Sequence, residues 1–208
     1  MIVADLEITG FNPSLNSIWQ IGAIRLEYPQ DFFFGECRID ENEEIKKADE
    51  KIIGKTEKEL KDPLKISERD LLKNFFKWVR KTKNKVLICH NTTDYFFFVK
   101  KSQKYNLKLP FHYRILDTHS IAAVKYYEIK RKFKIKKGYS GVGLRSILRF
   151  AGMKDTRVHV ENGKVIKKGR MHNALEDARL TAEIFSRVAK GKPLLKEYSR
   201  FKMPDYLK

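Results

Sequence analysis

Residues 2–9, IVADLEIT, constrain this chain more than any other stretch. They form an apolar run that reads as an opening strand, yet they carry Asp5 and Glu7 two positions apart. Side chains two apart on a strand project from the same face of a sheet. Two carboxylates about 4 Å apart repel by on the order of 4 kcal/mol at an effective dielectric near 20, and a divalent cation between them reverses the sign. Gly10 and Asn12-Pro13 end the run through turn chemistry. Residues 17–28 and 32–40 then read as two further strands, separated by a turn at Pro29-Gln30-Asp31. Three strands in succession predict an antiparallel meander.

The second half has a different rhythm. Residues 39–60 are charged and lose clear alternation, which predicts surface loops or a short helix and no core. A firmer helix starts at Ser67, with Ser67 and Asp70 as a cap pair and Leu71, Leu72, Phe75, Phe76 and Val79 on one face. Residues 86–89 read as a short strand ending at His90-Asn91, followed by a helix to about Tyr105. Residues 114–117 form another strand leading into a helix through Tyr127. Asn173 caps a last helix over residues 173–189, with Glu176 reaching back and Leu175, Ala178, Ala182 and Phe185 as its buried stripe. A meander followed by βα units predicts an α/β fold with a central mixed five-stranded sheet flanked by helices.

Composition sets the chemical class of partner. Of 208 residues, 44 are Lys or Arg and 26 are Asp or Glu, a net charge of +18 that draws polyanions such as nucleic acid or anionic lipid. A hydrophobic share of 42% with 14 Phe excludes global disorder. Cys37 and Cys89 stand far apart in no metal-like spacing, against a disulfide framework or zinc ribbon and in favour of a reducing compartment. The longest apolar run, residues 95–99, is too short to span a bilayer, and no basic leader precedes Asp5, so the expectation is a soluble cytoplasmic protein without membrane contact.

Three segments occur in a fixed order: MIVADLEITGFNP, LICHNTTDYFF and MHNALEDARLTAEIF. Together they resemble the DEDDh family of 3′–5′ exonucleases, a group that includes proofreading subunits and ribonuclease T and has a ribonuclease H-like fold. The first is similar to that family's D-x-E-T-T-G strand, with Ile8 in place of Thr. The last is similar to its H-x-A-L-x-D-A helix start, at His172, Ala174, Leu175, Asp177 and Ala178. ILDTHSIAA around Asp117 resembles the strand after the second motif. The middle motif departs by one residue: Asp94 follows His90-Asn91 directly after Thr92-Thr93, where many members have two residues, an aromatic and then the acid.

The resemblance implies phosphodiester hydrolysis at a 3′ end with two Mg²⁺ or Mn²⁺ ions, for which hard carboxylate oxygens are suitable ligands. It makes Asp5 the bridging ligand, places Glu7 and Asp177 on the ion that holds the attacking water, and gives Asp94 the second ion. His172, just outside the last helix on a loop that can swing toward substrate, becomes the general base. Thr9 and Gly10 let the backbone approach the terminal nucleotide. His90 and Asn91 shape their turn by hydrogen bonding beside the site.

Residues 125–137, KYYEIKRKFKIKK, interleave seven basic residues with rings and predict a phosphate-tracking surface that includes Lys130, Arg131 and Lys132. Asn162-Gly163 calls for a tight hairpin that arrives before His172 and offers one wall of a cleft. The expected organisation is an exonuclease domain over 1–189, with a basic insertion at 125–139 and a hairpin insertion at 157–168. A C-terminal extension over 190–208 packs its Tyr198, Phe201 and Tyr206 on that domain. Trp19, Trp78 and Phe96 to Phe98 are expected in the core. Single-stranded DNA and RNA ends both fit, as do a homodimer and a polymerase partner. Two other classes compete: a non-catalytic nucleic-acid module on the same fold, and an aspartyl-nucleophile phosphotransferase using Asp5. The second wants another Asp two residues on and an early helix, where Glu7 and a meander stand instead.

Overall fold

The computed structural model describes residues 1–161, 164–167 and 169–208. Five strands build its central sheet: β1 (Ile2–Ile8), β2 (Ile18–Arg25), β3 (Tyr28–Glu36), β4 (Leu87–Cys89) and β5 (Leu116–Asp117). Their order is β3-β2-β1-β4-β5, antiparallel from β3 to β1 and parallel from β1 to β5. This is the expected mixed sheet, a meander continued by βα units, with the ribonuclease H-like architecture.

β1 is central and covered on both faces. Ile2, Ala4 and Leu6 join a core built from α3 (Glu68–Arg80) and α4 (Thr93–Lys104), dominated by Phe75, Phe76, Phe97 and Phe98. Val3 points the other way, toward Ala182 and Phe185 of α7 (Ala174–Lys190). Strand alternation therefore puts Asp5 and Glu7 on the α7 side. Alongside α7 lie α5 (Thr118–Lys130) and α6 (Leu144–Phe150), which share Ala122, Ile147, Leu148, Leu180 and Ile184.

α7 is seated by β2. A Cβ on Gly22 would fall 2.0 Å from the Leu175 nitrogen, so only glycine permits this approach. Gln20 Oε1 accepts the Ala174 N–H at 2.7 Å, while Asn173 Oδ1 accepts those of Leu175 and Glu176 at 3.1 Å. Gly22 and Gln20 are the cross-strand partners of Asp5 and Glu7. The same two rungs of the sheet thus hold the acids and the helix start that faces them.

Several local expectations are corrected. The β2–β3 turn falls at Leu26-Glu27, and Pro29-Gln30-Asp31 lie within edge strand β3, where pairing jumps from Ile24↔Phe32 to Arg25↔Tyr28. An edge strand tolerates proline, which lacks the N–H a central strand needs. Residues 39–60 are not coreless: α1 (Lys47–Ile53) and α2 (Glu57–Leu60) bury Ile39, Ile45 and Leu60 against Trp19. Short helices with three apolar anchors show little periodicity. Glu176 does not reach back to its own helix start but pairs with Arg170. α7 is buried well beyond its predicted stripe, because α5 and α6 cover a second side. Phe96 is exposed, unlike its neighbours Phe97 and Phe98.

Ser67 caps α3 through the Asp70 N–H as expected. Cys37 and Cys89 are buried free thiols whose ionisation burial suppresses. Basic residues 125–137 continue α5 and then enter a small hairpin, β6 (Ile135–Lys136) and β7 (Tyr139–Ser140). Two further strands, β8 (His159–Glu161) and β9 (Lys164–Lys167), pair antiparallel, and the Asn162-Gly163 turn between them lies outside the described residues. Near the C terminus Tyr198 and Phe201 pack on the α5–α7 core, and the Tyr206 ring packs at a tilt against Phe150 with its hydroxyl donating to the Phe150 carbonyl at 2.7 Å. Among the described residues no helix is long and apolar enough to cross a membrane.

Candidate active site

Asp5, Glu7, Asp94, Asp177 and His172 line one cavity of about 450 Å³ at the carboxyl end of β1. Three segments meet there. β1 supplies Asp5 and Glu7, half-buried on one face. The first turn of α4 supplies Asp94, whose Oδ1 accepts the Leu6 N–H at 3.1 Å. The shortened turn after His90-Asn91 therefore still carries its acid to β1. α7 supplies the buried Asp177 in its first turn, and His172 stands just ahead of the Asn173 cap.

Crowding of carboxylates shows in their proton affinities. Burial, then the charges of Asp177, Asp94 and Glu7, lift the Asp5 carboxyl well above the usual range. Burial and Asp177 push Glu7 up to about 7. Burial pushes Asp94 up to about 7 against the opposing Leu6 hydrogen bond. Each of these groups resists ionisation unless positive charge beyond that of the lining arginines joins the cavity.

His172 Nδ1 lies 3.0 Å from Asp177 Oδ2, and that hydrogen bond raises the imidazole pKa despite partial burial. Its Nε2 lies 3.4 Å from the Val158 carbonyl. Among the described residues, buried Asp177 Oδ1 has no hydrogen-bond partner. Glu7, His172 and Asp177 offer ligand atoms all within 4.8 Å of one another, a group that could hold a metal ion. A buried orphan oxygen among hard donors fits Mg²⁺ or Mn²⁺ better than a soft-ligand metal.

The other expected site residues divide. His90 and Asn91 line the cavity. His90 Nδ1 meets Thr118 Oγ1 at 3.1 Å, and burial together with His119 pushes its pKa down to about 4. Asn91 takes a left-handed backbone at φ 80°; its N–H donates to Asp117 Oδ1 at 2.9 Å and its side chain accepts the Thr93 N–H at 2.8 Å. Thr9 and Gly10 line an adjoining hollow instead, and the Thr9 hydroxyl is taken by Ser17 and Glu43. Lys130, Arg131 and Lys132 do not line the cavity. Lys130 ends α5 with its Nζ 5.4 Å from the Tyr206 ring centre, and Arg131 is the left-handed cap of that helix.

Sequence reasoning missed Arg157, Asp155, Gln20 and Gly22. Arg157 Nη1 donates to Asp177 Oδ2 at 2.6 Å from a side chain only 5% exposed. Its signal was slight: a basic residue two positions after an acid, at the foot of a hairpin. Gln20 and Gly22 were detectable as a polar residue and a glycine interrupting the apolar run Ile18–Ile24.

The family model described as Exonuclease matches residues 2–185, and the chain belongs to that family. DNA polymerase III PolC-type of Thermotoga petrophila is 26% identical over 186 residues, 89% of this chain and 12% of that protein; the Thermotoga maritima protein of the same name gives the same figures. The chain thus spans about an eighth of the length of these relatives. Among solved structures, the nuclease domain of 3′hExo, a DEDDh family member bound to rAMP, superposes with a TM-score of 0.64 at 18% identity, covering 94% of both chains. The E. coli ExoI–ssDNA complex gives 0.64 at 14%, over 91% of this chain and 40% of that one. The shared fold is that of the DEDDh exonuclease and ribonuclease T superfamily.

Proposed function

We propose that the chain is a metal-dependent 3′–5′ exonuclease that releases nucleoside monophosphates from single-stranded nucleic acid. One observation carries this reading: carboxylates from β1, α4 and α7 converge with His172 in a single cavity of a member of the exonuclease family. Asp5, Glu7, Asp94 and Asp177 would hold two Mg²⁺ or Mn²⁺ ions. Such ions, when bound, stabilise charge on the attacking and leaving oxygens of a phosphodiester.

The chain's own groups do the rest. Asp177 Oδ2 accepts from His172 Nδ1, which fixes the neutral tautomer whose Nε2 takes the proton of the attacking water. Once protonated, Nε2–H has the Val158 carbonyl as acceptor. Asn91, His90 and the exposed Phe11 ring border the cavity, which supports a role for them in orienting the terminal nucleotide. Net charge of +18 concentrates the polyanion around it, and residues 125–137 with Lys130, Arg131 and Lys132 serve as an outlying track for phosphates.

We read residues 1–189 as the exonuclease domain and 190–208 as an extension held on it by Arg187, which donates to the Tyr198 and Phe201 carbonyls at 3.2 and 3.0 Å. Buried free thiols suit a reducing, cytoplasmic setting. The likeness to a PolC-type polymerase supports proofreading beside a polymerase partner, with a homodimer as the alternative assembly. The test is incubation of the full chain with 5′-labelled single-stranded DNA and RNA under Mg²⁺, Mn²⁺ or chelator. Stepwise shortening from the 3′ end that stops with chelator is expected. Binding with no shortening under any metal condition would leave a non-catalytic nucleic-acid module.

A further inference from the structure

Two cations of the chain's own, Arg145 and Arg157, already line the cavity, and Arg157 is the one bonded to Asp177. Arg157 is clamped along one edge: its Nε donates to Asp155 Oδ1 at 3.0 Å and its Nη2 to Asp155 Oδ2 at 3.3 Å. Its backbone N–H donates to the same Oδ1 at 3.0 Å. Asp155 is braced in turn by Arg145 Nε at 3.1 Å. Backbone bonds on either side, Val158 N–H to the Arg170 carbonyl and Arg170 N–H to the Thr156 carbonyl, hold the segment against the stretch that leads into α7. Gly169 backs it so closely that a Cβ there would lie 2.5 Å from the Arg157 carbonyl.

With its Asp155 edge fixed, only Nη1 faces the acids, and it donates to Asp177 Oδ2 at 2.6 Å. Oδ1 of the same carboxylate has no partner. The two oxygens of Asp177 are therefore in different circumstances: one is shared by Arg157 and His172, the other is buried with no hydrogen-bond partner among the described residues. A guanidinium stays charged at any working pH and binds carboxylates through a planar fork, so this arrangement does not titrate away.

We propose that Arg157 is a resident counter-cation of the site, which takes Asp177 Oδ2, leaves Oδ1 to the divalent ion, and so sets how tightly the site holds its metal. The proposal rests on the metal-dependent reading above. Arg157 is a positioning residue here: it acts through Asp177 and through its charge. Like charge held beside a divalent ion weakens binding of that ion. Removing it should therefore tighten metal binding, an effect that a merely structural arginine would not produce.

The test is calorimetric titration of chelator-treated, full-length protein with Mn²⁺, comparing wild type, Arg157→Gln and Arg157→Lys. Arg157→Gln should lower the Mn²⁺ Kd by about tenfold or more, while Arg157→Lys, which keeps the charge, should stay within about threefold of wild type. Equal or weaker binding by a folded Arg157→Gln protein overturns the proposal, because the arginine would then only shape the loop. Should Arg157→Gln fail to fold, the Arg157 Nε–H resonance of the wild-type chain answers the same question during Mg²⁺ titration. A signal that persists and shifts supports a shared Asp177; a signal lost to solvent exchange means the guanidinium is expelled and overturns the assignment. If wild type and both variants bind no Mn²⁺ at all, the metal-dependent reading itself fails and this assignment with it.

Discussion

α7 carries a buried acid paired with a buried arginine at each end, and the two pairs could hardly be used more differently. Near the C-terminal end, Glu183 and Arg187 are fully buried, one turn apart, and every charged atom is matched. Arg187 Nε donates to Glu183 Oε1 at 2.6 Å, Nη1 to the Ala151 carbonyl, and Nη2 to the carbonyls of Tyr198 and Phe201. Glu183 Oε2 accepts the N–H groups of Leu194 and Leu195. At the N-terminal end Asp177 has its own arginine but keeps an orphaned oxygen and faces three more acids. Burial of charge is common to both. What separates a structural pin from a site is unmet demand for positive charge.

Breaking each pair should give opposite phenotypes. The largest expected effect is on turnover: Asp177→Asn or Asp5→Asn should reduce exonuclease rate by about a thousandfold or more, while thermal stability in chelator falls far less than for Glu183→Gln, because Arg157 keeps Asp155 as its counter-charge. An equal loss of stability together with rate would place these acids with Glu183. His172→Ala should cost about a hundredfold in turnover and leave Mn²⁺ titration almost unchanged, as a base would and a ligand would not.

Glu183→Gln sharpens the contrast from the other end. It leaves the Arg187 guanidinium buried without its counter-charge and should lower unfolding free energy by about 3–5 kcal/mol in denaturant titration, with rate per folded molecule retained. A similar loss is expected for Gly22→Ala, where a Cβ would strike the start of α7, but here rate should fall too, since Asp177 and His172 ride on that helix end.

The smallest effect is a dependence of stability on pH. Glu7 and Asp94, pushed up to about 7, keep protons in the fold where unfolded carboxyls near pKa 4 have lost theirs. At these two groups the native state then binds more protons, so their contribution to stability is full below about pH 4 and is lost as pH rises through 7. In chelator, Tm should fall by about 4 °C or more between pH 5 and 8, and saturating Mg²⁺ should abolish the decline. A flat profile in chelator would mean that the acids are not crowded.

Local pattern made much of this legible. Ser67 and Asp70 announced α3, Asn173 announced α7, and the two acids in an apolar strand announced the site, because caps and alternation act over a few residues. The DEDDh-like segments imply that Asp94, Asp177 and His172 share that place, and they line the same cavity. Residues 39–60 and the register jump in β3 were not legible, since three scattered anchors and an edge bulge leave no period to detect.

By itself the sequence determined the succession of the five central strands with α3, α4, α5 and α7, the excess of positive charge, and which carboxylates sit among apolar neighbours, all legible along the chain without its contacts. Tertiary structure alone decided that Gly22 and Gln20 seat α7 over Asp5 and Glu7, that Lys130 to Lys132 stay away from the cavity, and that Arg157 enters it. Those outcomes depend on contacts between residues far apart in the chain, where a difference of one residue in a loop moves a charge by several ångströms and reverses what it does.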